Sequence, residues 1–153
     1  MFKIKEDDLS GDQTRALLTL HLAGMHASSP VGSVFALDLT GLQGSGVTVW
    51  TAWHGERIAS IGALKITEDG TAEVKSMRTH PDFLRMGAGA AVLETIIAAA
   101  KRHGVQRLSL ETGSGPAFEP ALKLYQRRGF VKGTAFGSYV PGEFNQFLHL
   151  DLR

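Results

Sequence analysis

The chain has no cysteine. That absence removes disulfide frameworks, thiolate metal sites and a cysteine nucleophile together, and it fits a reducing cytosol. Net charge is also nearly missing: 16 Lys and Arg against 15 Asp and Glu leave +1 at pH 7. Nothing in that balance calls for nucleic acid as a partner, although one local basic loop would suffice for a small phosphorylated ligand. No apolar run reaches the roughly 20 residues of a membrane span. The opening MFKIKEDDLS lacks the apolar segment of a secretory signal. The expectation is a cytoplasmic protein with no membrane partner. Repeats, low-complexity tracts and linkers are missing as well, and 43% apolar with 20% charged residues describes one globular domain over residues 1–153.

What is present is a well-punctuated alternation of elements. FKIKE alternates apolar and polar residues and reads as a first strand. A helix follows through Ser28, with Leu17, Leu20 and Gly24 at helical spacing and Ser10 or Asp12 as its N-cap. Residues Ser28 to Gly46 read as a flap with one helical turn, long enough to suggest a functional role. VTVWTAWH, RIASIGALKIT and TAEVKSMRT form an antiparallel set joined by HGE and EDG turns. Helices from about Gly87 to His103 and Ala117 to Arg128 flank the strand VQRLSLET, each stopped by a glycine. FVKGTAF and NQFLHLDL complete the series. The fold class is a mixed α/β sheet with antiparallel N-terminal strands, two βα crossovers that set strands parallel in the second half, and helices on both faces.

The stretch RMGAGAAVLE, from Arg85, needs a reason for its glycines, because each costs a helix roughly 1 kcal/mol relative to alanine. One reason is close packing of the helix on the sheet. The other is an anion cradle, in which free amides and the helix dipole meet a phosphate and Arg85 adds charge. No Gly-Lys-Ser/Thr follows, so a Walker loop is excluded. Val92 stands where a dinucleotide fingerprint needs Gly or Ala, and the preceding strands are antiparallel, so NAD fits poorly. The histidines His21, His26, His54, His80, His103 and His149 form no HExxH and no metal site is expected. Ser45, Ser114 and Ser138 lack the elbow of a serine hydrolase.

SMRTHPDFLRMGAGAAVLETIIAAA, followed by a strand and ALKLYQRRGF, resembles the GNAT superfamily of acyl-CoA-dependent N-acyltransferases, in particular small single-domain bacterial members. LRMGAG and LYQRRGF occupy the places of the family's acyl-CoA loop and its Leu-Tyr-x-x-x-Gly-Phe helix end, and Pro81, Asp82 and Phe83 match the intervening turn. The likeness runs over about residues 47 to 136. Two positions depart from it. The loop's first Arg or Gln falls on Leu84, with the arginine displaced to Arg85, and an Asn before the tyrosine is Phe118.

The resemblance implies an acetyl-CoA-dependent N-acetyltransferase of GNAT-like fold acting by direct transfer in a ternary complex. It places the acyl-CoA cosubstrate on Leu84, Arg85, Met86, Gly87, Ala88, Gly89 and Ala90, with Phe118 and Tyr125 beside the pantetheine arm. It also gives a main-chain N–H near Met77, Arg78 or Thr79 as oxyanion donor. Tyr125 becomes the proton donor to the departing thiolate, and Glu73 the base that deprotonates the amine. Glu111, at the end of its strand, is the rival base. The acceptor is a small-molecule amine or a protein amine, with walls drawn from Phe35, Trp50, Phe118, Phe136 and Tyr139. Exposed edge strands would allow a homodimer. The alternatives kept open are a non-catalytic acyl-CoA-binding module and a nucleotide-binding interaction domain.

Overall fold

A computed structural model describes residues 1–30, 38–67 and 69–152. The alternation in VTVWTAWH becomes strand β2 (Val47–His54), which is buried on both sides. Val49, with Val47 and Trp53 against it, joins one apolar cluster, while Trp50 and Ala52 join the other. Helices must therefore cover both faces, as the sequence implied. The strands are β1 (Lys3–Glu6), β2, β3 (Arg57–Ile66), β4 (Thr71–Thr79), β5 (Arg107–Thr112), β6 (Val131–Lys132) and β7 (Gln146–Asp151). The helices are α1 (Asp12–Ser28), α2 (Leu39–Leu42), α3 (Ala88–Arg102) and α4 (Glu119–Arg128). The sheet runs β1-β2-β3-β4-β5-β7-β6.

β1 to β4 are antiparallel neighbours, and β4 and β5 are parallel. The second crossover does not create an adjacent parallel pair. β7 pairs antiparallel with both β5 and β6 and so inserts between them. The first helix also departs from expectation. Gly11 is its N-cap, without a side-chain bond, because the Ser10 hydroxyl donates to Asp8 Oδ1 at 2.6 Å. Its buried stripe is Thr14, Leu17, Leu18 and His21, at i, i+3, i+4 and i+7, and Leu20 is 40% exposed. The flap contains the expected helical turn as α2, capped by Asp38 accepting from the Gly41 N–H at 2.8 Å. Residues 31–37 of the flap, including Phe35, lie outside the described residues. FVKGTAF is a strand only at β6. At Gly133 the chain passes so close to His149 that a Cβ there would meet the ring at 2.6 Å.

α3 lies on the sheet with Val92, Leu93, Ile96, Ile97, Ala99 and Ala100 buried. It packs over Gly62 of β3, where a Cβ would stand 2.7 Å from Val92 Cγ1 and would also crowd Met77 Sδ of β4. Gly62→Ala should therefore overpack this contact and lower unfolding free energy by about 1–3 kcal/mol, read from denaturant midpoints. On the opposite face α1 is tied to β4. Arg78 Nε donates to His21 Nδ1 at 3.1 Å, and burial followed by the Arg78 charge pushes the imidazole down to about 4. A depressed histidine stabilises fully above its unfolded value of about 6.5, and that stabilisation is lost as pH falls toward about 4. Thermal melts of His21→Gln, whose amide oxygen can still accept from Arg78, should show a shallower loss of Tm than wild type across that window.

Candidate active site

β4 and β5 pair at only three positions, Thr71↔Arg107, Ala72↔Leu108 and Glu73↔Ser109. Beyond them β4 continues to Thr79 against β3 alone, and β5 continues to Thr112 against β7 alone. The cause is local to β4. Between Ile61↔Arg78 and Ala63↔Lys75 the strand carries one residue more than its partner, and Ser76 adopts a left-handed φ of 58°. Such a bulge bends the strand that carries it. The Ser76 Oγ is buried there with no hydrogen-bond partner among the described residues. The result is a gap between two parallel strands at their C-terminal ends, the usual position for ligands in open α/β sheets.

Pairing and alternation put Glu73 and Lys75 of β4, Ser109 and Glu111 of β5, and Phe147 and His149 of β7 on one face. Val74, Leu108, Leu110 and Leu148 point into the core on the other face. Lys75 Nζ lies 3.0 Å from Glu73 Oε2 and donates to the Tyr139 hydroxyl at 2.8 Å. The Tyr139 hydroxyl in turn donates to Glu73 Oε2. The two charged side chains are only 9% and 12% exposed. Burial, and then the Glu73 carboxylate, raise the Tyr139 phenol well above its ordinary value, so it stays a donor. Glu111 is lifted to about 7. Burial is the largest cause; the Lys75 charge opposes it, Glu73 adds to it, and a hydrogen bond from Asn145 opposes it.

The segment between β6 and β7 brings Tyr139 and Asn145 to these carboxylates, and it is pinned at several points. His149 Nε2 lies 2.8 Å from the Thr134 carbonyl and Nδ1 lies 2.7 Å from Ser109 Oγ. A carbonyl can only accept, so Nε2 carries the proton and Nδ1 takes the serine hydrogen. Phe136 packs edge-on against Tyr139, Phe147 and His149, with centroids 5.1, 5.9 and 5.8 Å away. Ser114 Oγ donates to the Phe144 carbonyl at 2.8 Å, and the Phe144 ring meets Phe118 at 5.4 Å.

Across the gap, the glycine stretch opens α3. Gly87 is the N-cap at φ 89°, a conformation glycine adopts without strain, and no side chain caps the helix. The amides of Ala88, Gly89 and Ala90 in the first turn have no intrahelical acceptor by construction. Ala88 is buried beneath them, Gly89 faces Thr79, and Leu84 and Met86 are exposed at 58% and 46%. The stretch thus combines close packing with unpaired first-turn amides.

The remaining candidates are spread around this centre. Arg78 turns its guanidinium to His21 and Gly24, leaving its main chain at the gap. Thr79 Oγ1 lies 3.1 Å from Ser60 Oγ. Tyr125, 6% exposed, sits on the α3 side of the sheet in the cluster with Leu110 and Phe130. Burial raises its phenol above the ordinary value. Trp50 is a core residue, 8% exposed, rather than a wall of this site. Sequence reasoning brought Glu73 and Glu111 forward as rivals, and the fold makes them neighbours. It missed Lys75 and Asn145 as site residues. The i, i+2 spacing of Glu73 and Lys75 was a usable signal, whereas Asn145 had none.

Residues 16–130 match the Acetyltransferase (GNAT) family. The chain is 41% identical over 152 residues to the uncharacterized N-acetyltransferase YedL of Escherichia coli (strain K12), covering 99% of this chain and 96% of that one. It is 46% identical over 136 residues to the uncharacterized N-acetyltransferase YsnE of Bacillus subtilis (strain 168), covering 89% and 90%. Its backbone superposes with a TM-score of 0.85 on a candidate acyl-CoA N-acyltransferase from Klebsiella pneumoniae, at 24% identity over 100% and 99% of the two chains. With the family match spanning both the unzipped strand pair and the glycine-opened helix, the chain belongs to the acetyltransferase (GNAT) family and is an acetyltransferase enzyme.

Proposed function

We propose that the enzyme moves an acetyl group from acetyl-CoA to a primary amine by direct transfer, with Glu111 as the base. The observation that carries this reading is Glu111 itself, a half-buried carboxyl lifted to about 7 at the edge of the strand gap. A base of that strength is matched to neutral pH. Glu73, the other candidate, has one carboxylate oxygen engaged by both Lys75 and Tyr139, so it serves better as a fixed charge than as a proton acceptor.

The chemistry follows from placement. The first-turn amides of α3 receive the pyrophosphate, whose charge the helix dipole favours. The unpaired edge of β4 offers main-chain groups to the pantetheine arm, with an N–H near Met77 to Thr79 for the oxyanion. The amine gives a proton to Glu111 and attacks the thioester carbon. As the C–N bond forms and the C–S bond breaks, the buried Tyr125 phenol supplies a proton to the thiolate. Holding both substrates in one site contributes the orientation term.

Calorimetric titration with acetyl-CoA, with ATP and NADPH as controls, tests the cradle; selective binding of acetyl-CoA is expected. Failure of the folded protein to bind it would sink this reading. Because the base must be ionised, kcat/KM for amine acetylation should rise with pH up to about 7 and level off above it. Glu111→Gln should lower kcat by roughly 10²-fold or more and remove that limb, with acetyl-CoA affinity retained. Tyr125→Phe should also lower kcat while binding acetyl-CoA as wild type does. If instead no amine is acetylated by any form that binds acetyl-CoA, the protein is an acyl-CoA-binding module.

A further inference from the structure

We infer that the acceptor is an amine carrying its own carboxylate, in the manner of a free amino acid with an apolar side chain, and that Lys75 reads that carboxylate. The inference rests on the transferase reading above and names the substrate class of the same site.

Lys75 is a cation where a plain amine would want none. Lys75 shares its sheet face with Glu111, is nine-tenths buried, and is near enough for its charge to act on Glu111. An acceptor arrives as an ammonium ion, which Lys75 repels, and Lys75 also weakens the base by favouring its ionised form. For a simple amine both effects are losses. The fold does not need the ion pair either. A buried pair of this kind seldom outperforms apolar residues of similar size, and Phe147 shows that this face can hold them. An acceptor with a carboxylate reverses the balance, because its anion answers the buried cation while its amine meets Glu111.

The donors are arranged for such an anion. An ammonium has three N–H bonds to give. Lys75 directs one to Glu73 and one to Tyr139, and among the described residues the third has no acceptor. The Tyr139 hydroxyl, which accepts from Lys75 and donates its one hydrogen to Glu73, holds the ammonium in place. A carboxylate placed on Lys75 therefore meets a charged donor with one hydrogen still to give. The rings of Phe136 and Phe147, packed together next to Tyr139, supply an apolar flank for a side chain. Glu73 completes the account, since it holds Lys75 in place and offsets its charge when no acceptor is bound.

Matched acceptors test this directly. L-leucine, L-leucinamide and 3-methylbutylamine share one carbon skeleton and differ in the carboxylate. A tripeptide beginning with leucine represents protein amino termini. Thiol release from acetyl-CoA can be followed with a thiol reagent, since the chain has no cysteine to consume it. The less basic amine of leucinamide has more free base near neutrality, so intrinsic reactivity favours the amide over the acid. We expect kcat/KM for leucine to exceed that for each of the other three at least tenfold. Lys75→Met should collapse that ratio, and Lys75→Arg should keep more of it. Equal or better use of the amine, the amide or the tripeptide by wild type overturns the inference and leaves the transferase reading standing. A wild-type preference that persists in Lys75→Met overturns the role of Lys75. Absence of turnover with all four acceptors, in protein that binds acetyl-CoA, overturns this inference and leaves the transferase reading to amines of another kind.

Discussion

The parallel ladder between β4 and β5 ends after three residue pairs, and the site exists because it ends there. A continued ladder would use the edge amides and carbonyls of β4 for pairing and would close the space beside Glu111. One extra residue in β4 prevents it. The bulge at Ser76 keeps β4 in register with β3 at both ends while bending it at the point where β5 runs straight on. The same stretch of β4 is held from both faces. Met77 is wedged by Gly62 and α3, and Arg78 is bound by His21 of α1. The bend is thus over-determined by packing, which is how a left-handed serine persists in a strand.

Electrostatics within the gap depend on closeness more than on any single group. Glu73 and Lys75 alternate along one strand, Glu111 approaches from the next, and Tyr139 reaches down from the segment before β7. Lys75 and Glu73 are largely buried, so each charge acts on the others with less screening than at a surface. Burial alone would leave Glu111 protonated and inert at neutral pH, or would make it costly to ionise. Lys75 and Asn145 moderate that, and Glu73 restores part of it, with the balance near 7. A network of this kind works only if its members are fixed. The clamp of His149 on Thr134, the Phe136 ring and the Ser114 bond to Phe144 do that fixing.

The glycine stretch illustrates how one local sequence serves two ends. Gly87 takes the left-handed φ that starts the helix, and Gly89 lets the first turn lie against Thr79. Close packing and exposed first-turn amides are two consequences of the same missing side chains. They need not be weighed against each other.

Much of this was written in local chemistry. Alternation in β2 to β4, the apolar stripe of α3, and Gly104 and Gly129 as helix stops depend on neighbours within a few residues, and they are legible for that reason. The glycine-opened start of α3 and the places of Glu73 and Glu111 on their strands were legible in the same way. Where longer contacts compete, local reading loses. Helical spacing marks Leu20, but His21 takes the buried position, where Arg78 of β4 supplies its partner. FVKGTAF reads as a strand, but only Val131 and Lys132 pair with β7, and at Gly133 the chain passes close over the His149 ring. Two parallel neighbours were implied by two crossovers, until β7 inserted between β5 and β6. Above all, the choice between Glu73 and Glu111 could not come from sequence. Ionisation of a carboxyl depends on burial and on charges brought to it by other strands and by Tyr139 and Asn145, far along the chain. Only the tertiary structure sets those distances.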